Sequence, residues 1–246
     1  MIPKLIHYCW FGGKPLPESA LKCIESWRRF FPDHQIVEWN EDNFDVRANR
    51  YVSEAYDSGK YAFVSDYARF WVMYNHGGIY FDTDVEVVAD MGDVLSQGPY
   101  MGMEMTLSGE VAVNPGLGFA CEPHMPVLAE LLSRYDTLRF LNDDGSMNLT
   151  TIVKHTTDVL LTHGYVPKNS MQVCAGFHLY PVDFFCPQDY RTGKLDVTGN
   201  TRSIHHYAAT WHTRKDRLIR LKRVFFSEKQ IKAISAFLDR FRKKNQ

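Results

Sequence analysis

No apolar run in this 246-residue chain reaches the length that crosses a bilayer as a helix. Residues 1–11 are too few and too polar for the apolar stretch of a secretory leader. The five cysteines show no C-x-x-C spacing and do not pair evenly, so they read as reduced thiols of a cytosolic protein. There is no G-x-x-x-x-G-K-[ST], no G-x-S-x-G and no H-E-x-x-H. Those absences remove P-loop phosphate cradling, the serine elbow and the paired-histidine zinc helix as sources of chemistry. No internal repeat or low-complexity tract is present either, so a solenoid is not expected.

What remains is a chain with 45% hydrophobic residues, enough for one large α/β domain with at most a small appendage. Aromatic content is 14%, which supplies core volume and the flat walls that sugar and base pockets use. The net charge of −1 conceals a split. Residues 212–246 hold twelve Lys and Arg against three acids, a balance of +9. The preceding residues hold the other sixteen bases against 26 acids, a balance of −10. The chain therefore divides into a domain over 1–211 and a basic helical tail over 212–246, the tail suited to an anionic surface. No nucleic-acid partner is expected.

Strand and helix signals alternate. Residues 2–11 read as a first strand, 19–31 as a helix stopped by Pro32, and 35–39 as a second strand. Residues 61–76 give the strongest helix, apolar over most of its surface, with Gly77 as a left-handed cap. Strands are expected over 100–105, 111–121, 172–180 and 203–207, and helices over 126–135 and 148–163. Residues 187–202 are loop-like, and 214–226 and 227–244 are helical. The order strand–helix–strand implies a mostly parallel central sheet.

Gly77-Gly78-Ile79-Tyr80-Phe81-Asp82-Thr83-Asp84-Val85 is the most informative segment. Read as a strand, it delivers Asp82 and Asp84 at its exit, both facing one side. Two adjacent carboxylates repel unless something offsets their charge. A hard divalent cation, Mg²⁺ or Mn²⁺, does so and also binds substrate phosphates. An EF-hand fits poorly, because Val87 stands where that loop needs glycine. Asp66 and Arg69 lie three apart on the apolar helix and share a face, either as a simple ion pair or turned toward a cleft near the following strand. In a cleft, Asp66 would accept from ribose hydroxyls and Arg69 would bind a sugar or phosphate. His205-His206 ends a late strand, so one imidazole can join the metal or both can lie on the surface. Trp211 is a candidate donor to a phosphate oxygen, and Trp10 can stack on a base or fill a core. Asn114-Pro115-Gly116-Leu117-Gly118 carries little local specificity.

Four segments together resemble the DXD-containing sugar transferases of glycosyltransferase family 32: I-P-K-L-I-H-Y-C-W-F-G-G, S-D-Y-A-R-F, G-G-I-Y-F-D-T-D-V and I-H-H-Y-A-A-T-W. They stand in the family's order and cover residues 2–211. That group includes capsular-polysaccharide and yeast mannosyl transferases and is distantly similar to clostridial glucosylating toxins. The resemblance implies a GT-A fold, a UDP- or GDP-sugar donor, Mn²⁺ or Mg²⁺, and retention of anomeric configuration. A glycan or lipid-linked glycan acceptor in bacterial surface polysaccharide synthesis is expected, and the basic tail fits such an acceptor at the inner face of the plasma membrane. By motif, Trp10 would stack on the base, and Asp66 would contact ribose or sugar. Arg69 would contact the sugar, and Asp82 ribose and sugar hydroxyls. Asp84 would hold the metal with His206, or His205 in its place, and Trp211 would sit at the phosphate.

Two other readings compete. A D-x-D phosphohydrolase would use the same apolar strand, with Asp143-Asp144 as a later metal pair, but its signature wants Gly-Thr after the second Asp where this chain has Val85-Glu86. A non-catalytic nucleotide-sugar or lipid-surface binding module would bind without turnover. In the tail, Ile231, Ile234, Leu238 and Phe241 form an amphipathic stripe that either meets a membrane or seals the domain.

Overall fold

A computed structural model of the chain describes residues 1–189 and 192–208. Nine strands and seven helices are assigned among these residues. In chain order they are β1 (Leu5–Cys9), α1 (Glu18–Phe30), β2 (Gln35–Trp39), α2 (Arg50–Asp57), α3 (Tyr61–His76), β3 (Gly78–Tyr80), β4 (Val85–Val87) and α4 (Gly92–Ser96). Then follow β5 (Tyr100–Met105), β6 (Val111–Cys121), α5 (Pro126–Thr137), α6 (Ile152–Thr162), β7 (Gln172–Cys174), β8 (Phe177–Tyr180), α7 (Val182–Phe185) and β9 (Ser203–His205).

Seven strands make the main sheet in the order β2-β1-β3-β6-β5-β8-β7. β1 runs parallel to β2 and β3, and β8 runs parallel to β5. β6 is antiparallel to both β3 and β5, and β7 is antiparallel to β8. Five strands thus share one direction, with β6 and β7 reversed, so the expected mostly parallel sheet is present. β4 and β9 form a separate antiparallel pair.

Period-two alternation splits the core into two layers. Ile6, Ile79 and Ala120 face one side, with Cys23, Ile24 and Trp27 of α1. Cys9, Tyr80, Phe119 and Cys121 face the other, with Val64 and Phe70 of α3 and Leu128 and Leu131 of α5. Helices on both faces explain why all eleven residues of β6 are buried. α1 also fixes β4, since the Trp27 indole donates to the Val85 carbonyl at 2.8 Å and Ser26 accepts from the Val87 N–H at 2.9 Å.

Three local expectations change. The 79–85 strand is interrupted: Asp82, Thr83 and Asp84 form a turn between β3 and β4, closed by Val85 N–H donating to the Asp82 carbonyl at 3.0 Å. Residues 172–180 are a hairpin, broken at Ala175 and Gly176. Gly77 has φ 62° and ψ −164°, an extended conformation open essentially to glycine alone, rather than the left-handed cap. The tail over 212–246 lies outside the described residues, as does Trp211.

The junction at Gly77 is held by a buried histidine. His7 Nδ1 accepts from the Trp39 indole N–H at 3.0 Å, so Nε2 carries the proton and donates to the Gly77 carbonyl at 3.0 Å. Burial lowers the His7 pKa to about 4, with the Gly77 bond opposing and His76 adding to the fall. The unfolded chain therefore binds the proton first as pH drops, and stability is lost between about pH 6.5 and 4, by up to roughly 3 kcal/mol. His7→Gln is expected to remove this component. Urea titrations of both proteins at pH 7 and pH 4.5 check it, since wild type should lose more stability than the variant over that interval.

Candidate functional site

The carboxyl ends of β1, β2 and β3 lie side by side, the edge where open α/β sheets place ligands. Arg69 reaches this edge from α3. Its Nε donates to the Ser65 carbonyl at 3.1 Å, Nη2 to Asp66 Oδ1 at 2.8 Å and Nη1 to Asp82 Oδ2 at 3.0 Å. The guanidinium also lies 4.9 Å from the centre of the Tyr80 ring, and Tyr80 donates its hydroxyl to Asp82 Oδ1 at 3.0 Å. Both oxygens of Asp82 are thereby oriented. Arg69 and Asp66 are buried, at 4% and 9% exposure, so the pair lies under the edge rather than open to a cleft. Burial pushes Asp66 up to about 7, against the pull of Arg69 and with the push of Asp82. The backbone N–H of Ile152, at the start of α6, also supports its charged form.

Asp84 is tied to β9. Its Oδ2 accepts from the Ala208 N–H at 2.8 Å, its carbonyl from the His206 N–H at 2.9 Å, and Oδ1 lies 3.2 Å from His205 Nε2. Burial alone would raise its pKa, but the His205 charge and hydrogen bond bring it down to about 2. Asp82, Asp84 and His205 offer ligand atoms within 4.8 Å of one another. Two carboxylates and an imidazole are donors that a small divalent cation accepts. It is His205 Nε2 that faces Asp84, while Nδ1 is buried with no hydrogen-bond partner among the described residues.

Of the two histidines that the sequence left open, the register brings His205, not His206, beside Asp82 and Asp84. β9 pairs with β4 so that His205 stands opposite Val85, and successive side chains point to opposite faces. The His206 ring turns outward, with Nε2 2.8 Å from Glu86 Oε2.

Two residues of the 114–118 segment belong to this site. Asn114 Oδ1 accepts from the Gly116 N–H at 2.7 Å. A Cβ on Gly116 would lie 2.5 Å from Asp82 Oδ2 and 3.3 Å from Arg69 Nη1, so only glycine lets the backbone pass there. The segment fits because the β5–β6 register shifts at Met101/Gly102, where the partner moves from Phe119 to Asn114 and leaves 115–118 outside the ladder. The Asn-x-Gly pattern was the available sequence signal.

Trp10 follows β1 and helps line an open cleft of about 690 Å³, with Glu38, Asn40, Glu41, Tyr56 and Tyr61. Its indole N–H donates to the Lys14 carbonyl at 2.6 Å, and the ring packs in part against the core layer that holds Ile6 and Trp27. Asp82, Asp84 and His205 do not line this cleft, but β1 and β3 are neighbours, so it opens beside them.

Comparison with known proteins places this geometry. Residues 17–101 match the family described as "Glycosyltransferase sugar-binding region containing DXD motif". An uncharacterized glycosyltransferase of Acanthamoeba polyphaga mimivirus is 34% identical over 108 residues, 40% of this chain and 41% of that protein. Inositol phosphoceramide mannosyltransferase 3 of Schizosaccharomyces pombe is 32% identical over 88 residues, 34% of this chain and 24% of that protein. The matches thus span less than half the length of these relatives. Among solved structures, the PaToxG glycosyltransferase aligns with a TM-score of 0.50 at 19% identity, over 65% of this chain and 69% of that one, a likeness of fold. Residues 17–101, which include the Asp82-Thr83-Asp84 turn, are thus similar to the sugar-binding region of DXD-containing glycosyltransferases.

Proposed function

We propose that this protein moves a sugar from a nucleotide-diphosphate sugar to a hydroxyl of a glycan or lipid-linked glycan. The convergence of Asp82, Asp84 and His205 beside the Trp10 cleft carries the reading. Asp84 and His205, with Asp82 beside them, would hold a Mn²⁺ or Mg²⁺ ion, which would offset the negative charge that builds on a departing diphosphate. Arg69 keeps Asp82 oriented and offsets its charge, while Asp82 accepts from donor hydroxyls. Trp10, which helps line the cleft, meets the base of a UDP- or GDP-sugar. Asp66 acts through Arg69 in the described geometry. Retention of configuration follows the family resemblance, with the departing phosphate oxygen taking the acceptor's proton. Surface-polysaccharide synthesis at a cytoplasmic membrane face, with the basic tail on anionic lipid and Trp211 at the phosphate, completes the proposal. Among the described residues, no helix is long and apolar enough to cross a membrane.

The phosphohydrolase reading is weaker on this geometry. Its signature wants Gly-Thr after the second Asp, where this chain has Val85-Glu86 at the start of β4. Asp143 and Asp144 bond within their own loop, to Arg139 and Ser146.

Incubation with a panel of nucleotide sugars and Mn²⁺ should release free UDP or GDP, and a chelator should stop it. Hydrolysis of a phosphatase substrate with no nucleotide release would sink the transferase. Asp84→Asn should lower turnover at least a hundredfold while leaving the fold intact. His205→Ala should raise the half-saturating Mn²⁺ concentration by roughly a hundredfold or more, above the ~10–100-fold that losing an outer-shell partner costs, whereas His206→Ala should leave it unchanged. Equal Mn²⁺ titrations of the two histidine variants would remove His205 from the metal shell. Arg69→Met should cost about 3–5 kcal/mol of stability, because it leaves Asp66 and Asp82 without their shared cation. Denaturant unfolding reads that loss, and a change under 1 kcal/mol would show that the pair is not structural.

A further inference from the structure

Glu104, at the end of β5, has no part in the D-x-D arrangement, yet the connections between the two halves of the site converge on it. Its Oε2 accepts from Asn114 Nδ2 at 2.7 Å and from the Tyr207 hydroxyl at 3.2 Å. The first bond leads to Asp82: Asn114 holds the Gly116 N–H with its other end, and Gly116 is the backbone against which the Asp82 carboxylate rests. The second leads to His205: the Tyr207 ring stands edge-on to the imidazole, with centroids 4.2 Å apart at 70°. Tyr207 also reaches Cys186 Sγ at 2.8 Å, so its hydroxyl is fixed on two sides. Its backbone adopts φ 48°, uncommon for a residue with a side chain of this size, and the surrounding contacts must hold it there.

We propose that Glu104 is a positioning residue for the cation site, bracing Asp82 through Asn114 and Gly116 and His205 through Tyr207. The inference rests on the metal-assisted reading above. The logic is that of an outer shell: groups one bond removed from a metal's ligands hold them in the orientation the ion needs. What Glu104 contributes here is a single oxygen that accepts from both sides. Its charge is not required for that, because a glutamine carbonyl oxygen accepts the same two bonds. Asn114 and Tyr207 sit on elements that are far apart in the chain, β6 and the segment after β9, and the described contacts join them through this one carboxylate.

The test is Mn²⁺ binding to the full chain without any sugar, followed by calorimetry or by the loss of the free-ion paramagnetic signal. Glu104→Ala should weaken Mn²⁺ binding ten- to a hundredfold, Tyr207→Phe should weaken it several-fold, and Glu104→Gln should stay within threefold of wild type. Melting temperatures are recorded for all three, and Asp84→Asn sets the level of binding without the site. Wild-type Mn²⁺ affinity in Glu104→Ala would overturn the inference while leaving the transferase reading intact. Loss of turnover in Glu104→Gln with unchanged Mn²⁺ binding would also overturn it, since the charge would then act on substrate. If wild-type protein bound no more Mn²⁺ than Asp84→Asn, the metal-assisted reading itself would fall, and this inference with it.

Discussion

One guanidinium holds two carboxylates in place, and the site depends on it. Arg69 sits between Asp66 beneath and Asp82 above, and it is almost entirely removed from water. Burying ions is costly, and their attraction offsets that cost only when the remaining hydrogen bonds are also satisfied. Here they are: Ser65 accepts from Nε, the Tyr80 ring lies beneath the cation, and Tyr80 donates to the far oxygen of Asp82. The fork geometry of arginine is what allows two separate carboxylates to be served at once. Lysine, a point charge on a flexible stem, would hold one and release the other. The interaction also ties α3 to the turn after β3, so the helix that fills the core fixes the position of Asp82.

The rest of the architecture extends this anchor. β1 and β3 bring the Trp10 edge beside Asp82, while α1 clamps β4 through Trp27 and Ser26. β9 then closes on β4 and supplies the imidazole. Each contact is modest alone, but all of them restrict the same turn from different directions. Preorganisation of this kind is how a site avoids reorienting its groups when charge develops in a reaction.

Much of this was legible in the sequence where the signal was local. The 35–39 and 100–105 strands, the long strand over 111–121 and the helix over 61–76 match the structure at both ends, because length, apolar content and flanking glycines agreed. Asp82 and Asp84 were recognisable as a pair, yet not their conformation. They share a side by a tight turn rather than by strand pleating, and Thr83 offers no turn signature such as glycine or proline. The choice between His205 and His206 needs the register of β9 against β4, which lies about 120 residues earlier in the chain, and no local pattern encodes it. Asp66 and Arg69 were visible as a pair, but their burial depends on α5 and α6, whose packing no window around residue 66 reports. The role of Gly116 is likewise set by a neighbour 34 positions away, at Asp82.

The position of β9 carries a consequence for the order in which this protein becomes competent. Two of the three candidate ligands are present once residue 84 has been made, and the third arrives only at residue 205. A ribosome adds residues one at a time, so the sheet edge, the Trp10 cleft and the Asp82 turn can all exist on a nascent chain that still lacks its imidazole. The strand that completes the site must then find β4 across a long sequence separation, the kind of pairing that forms late. A chain interrupted before β9 would lack His205, one of the three candidate ligands, however well the earlier strands had formed.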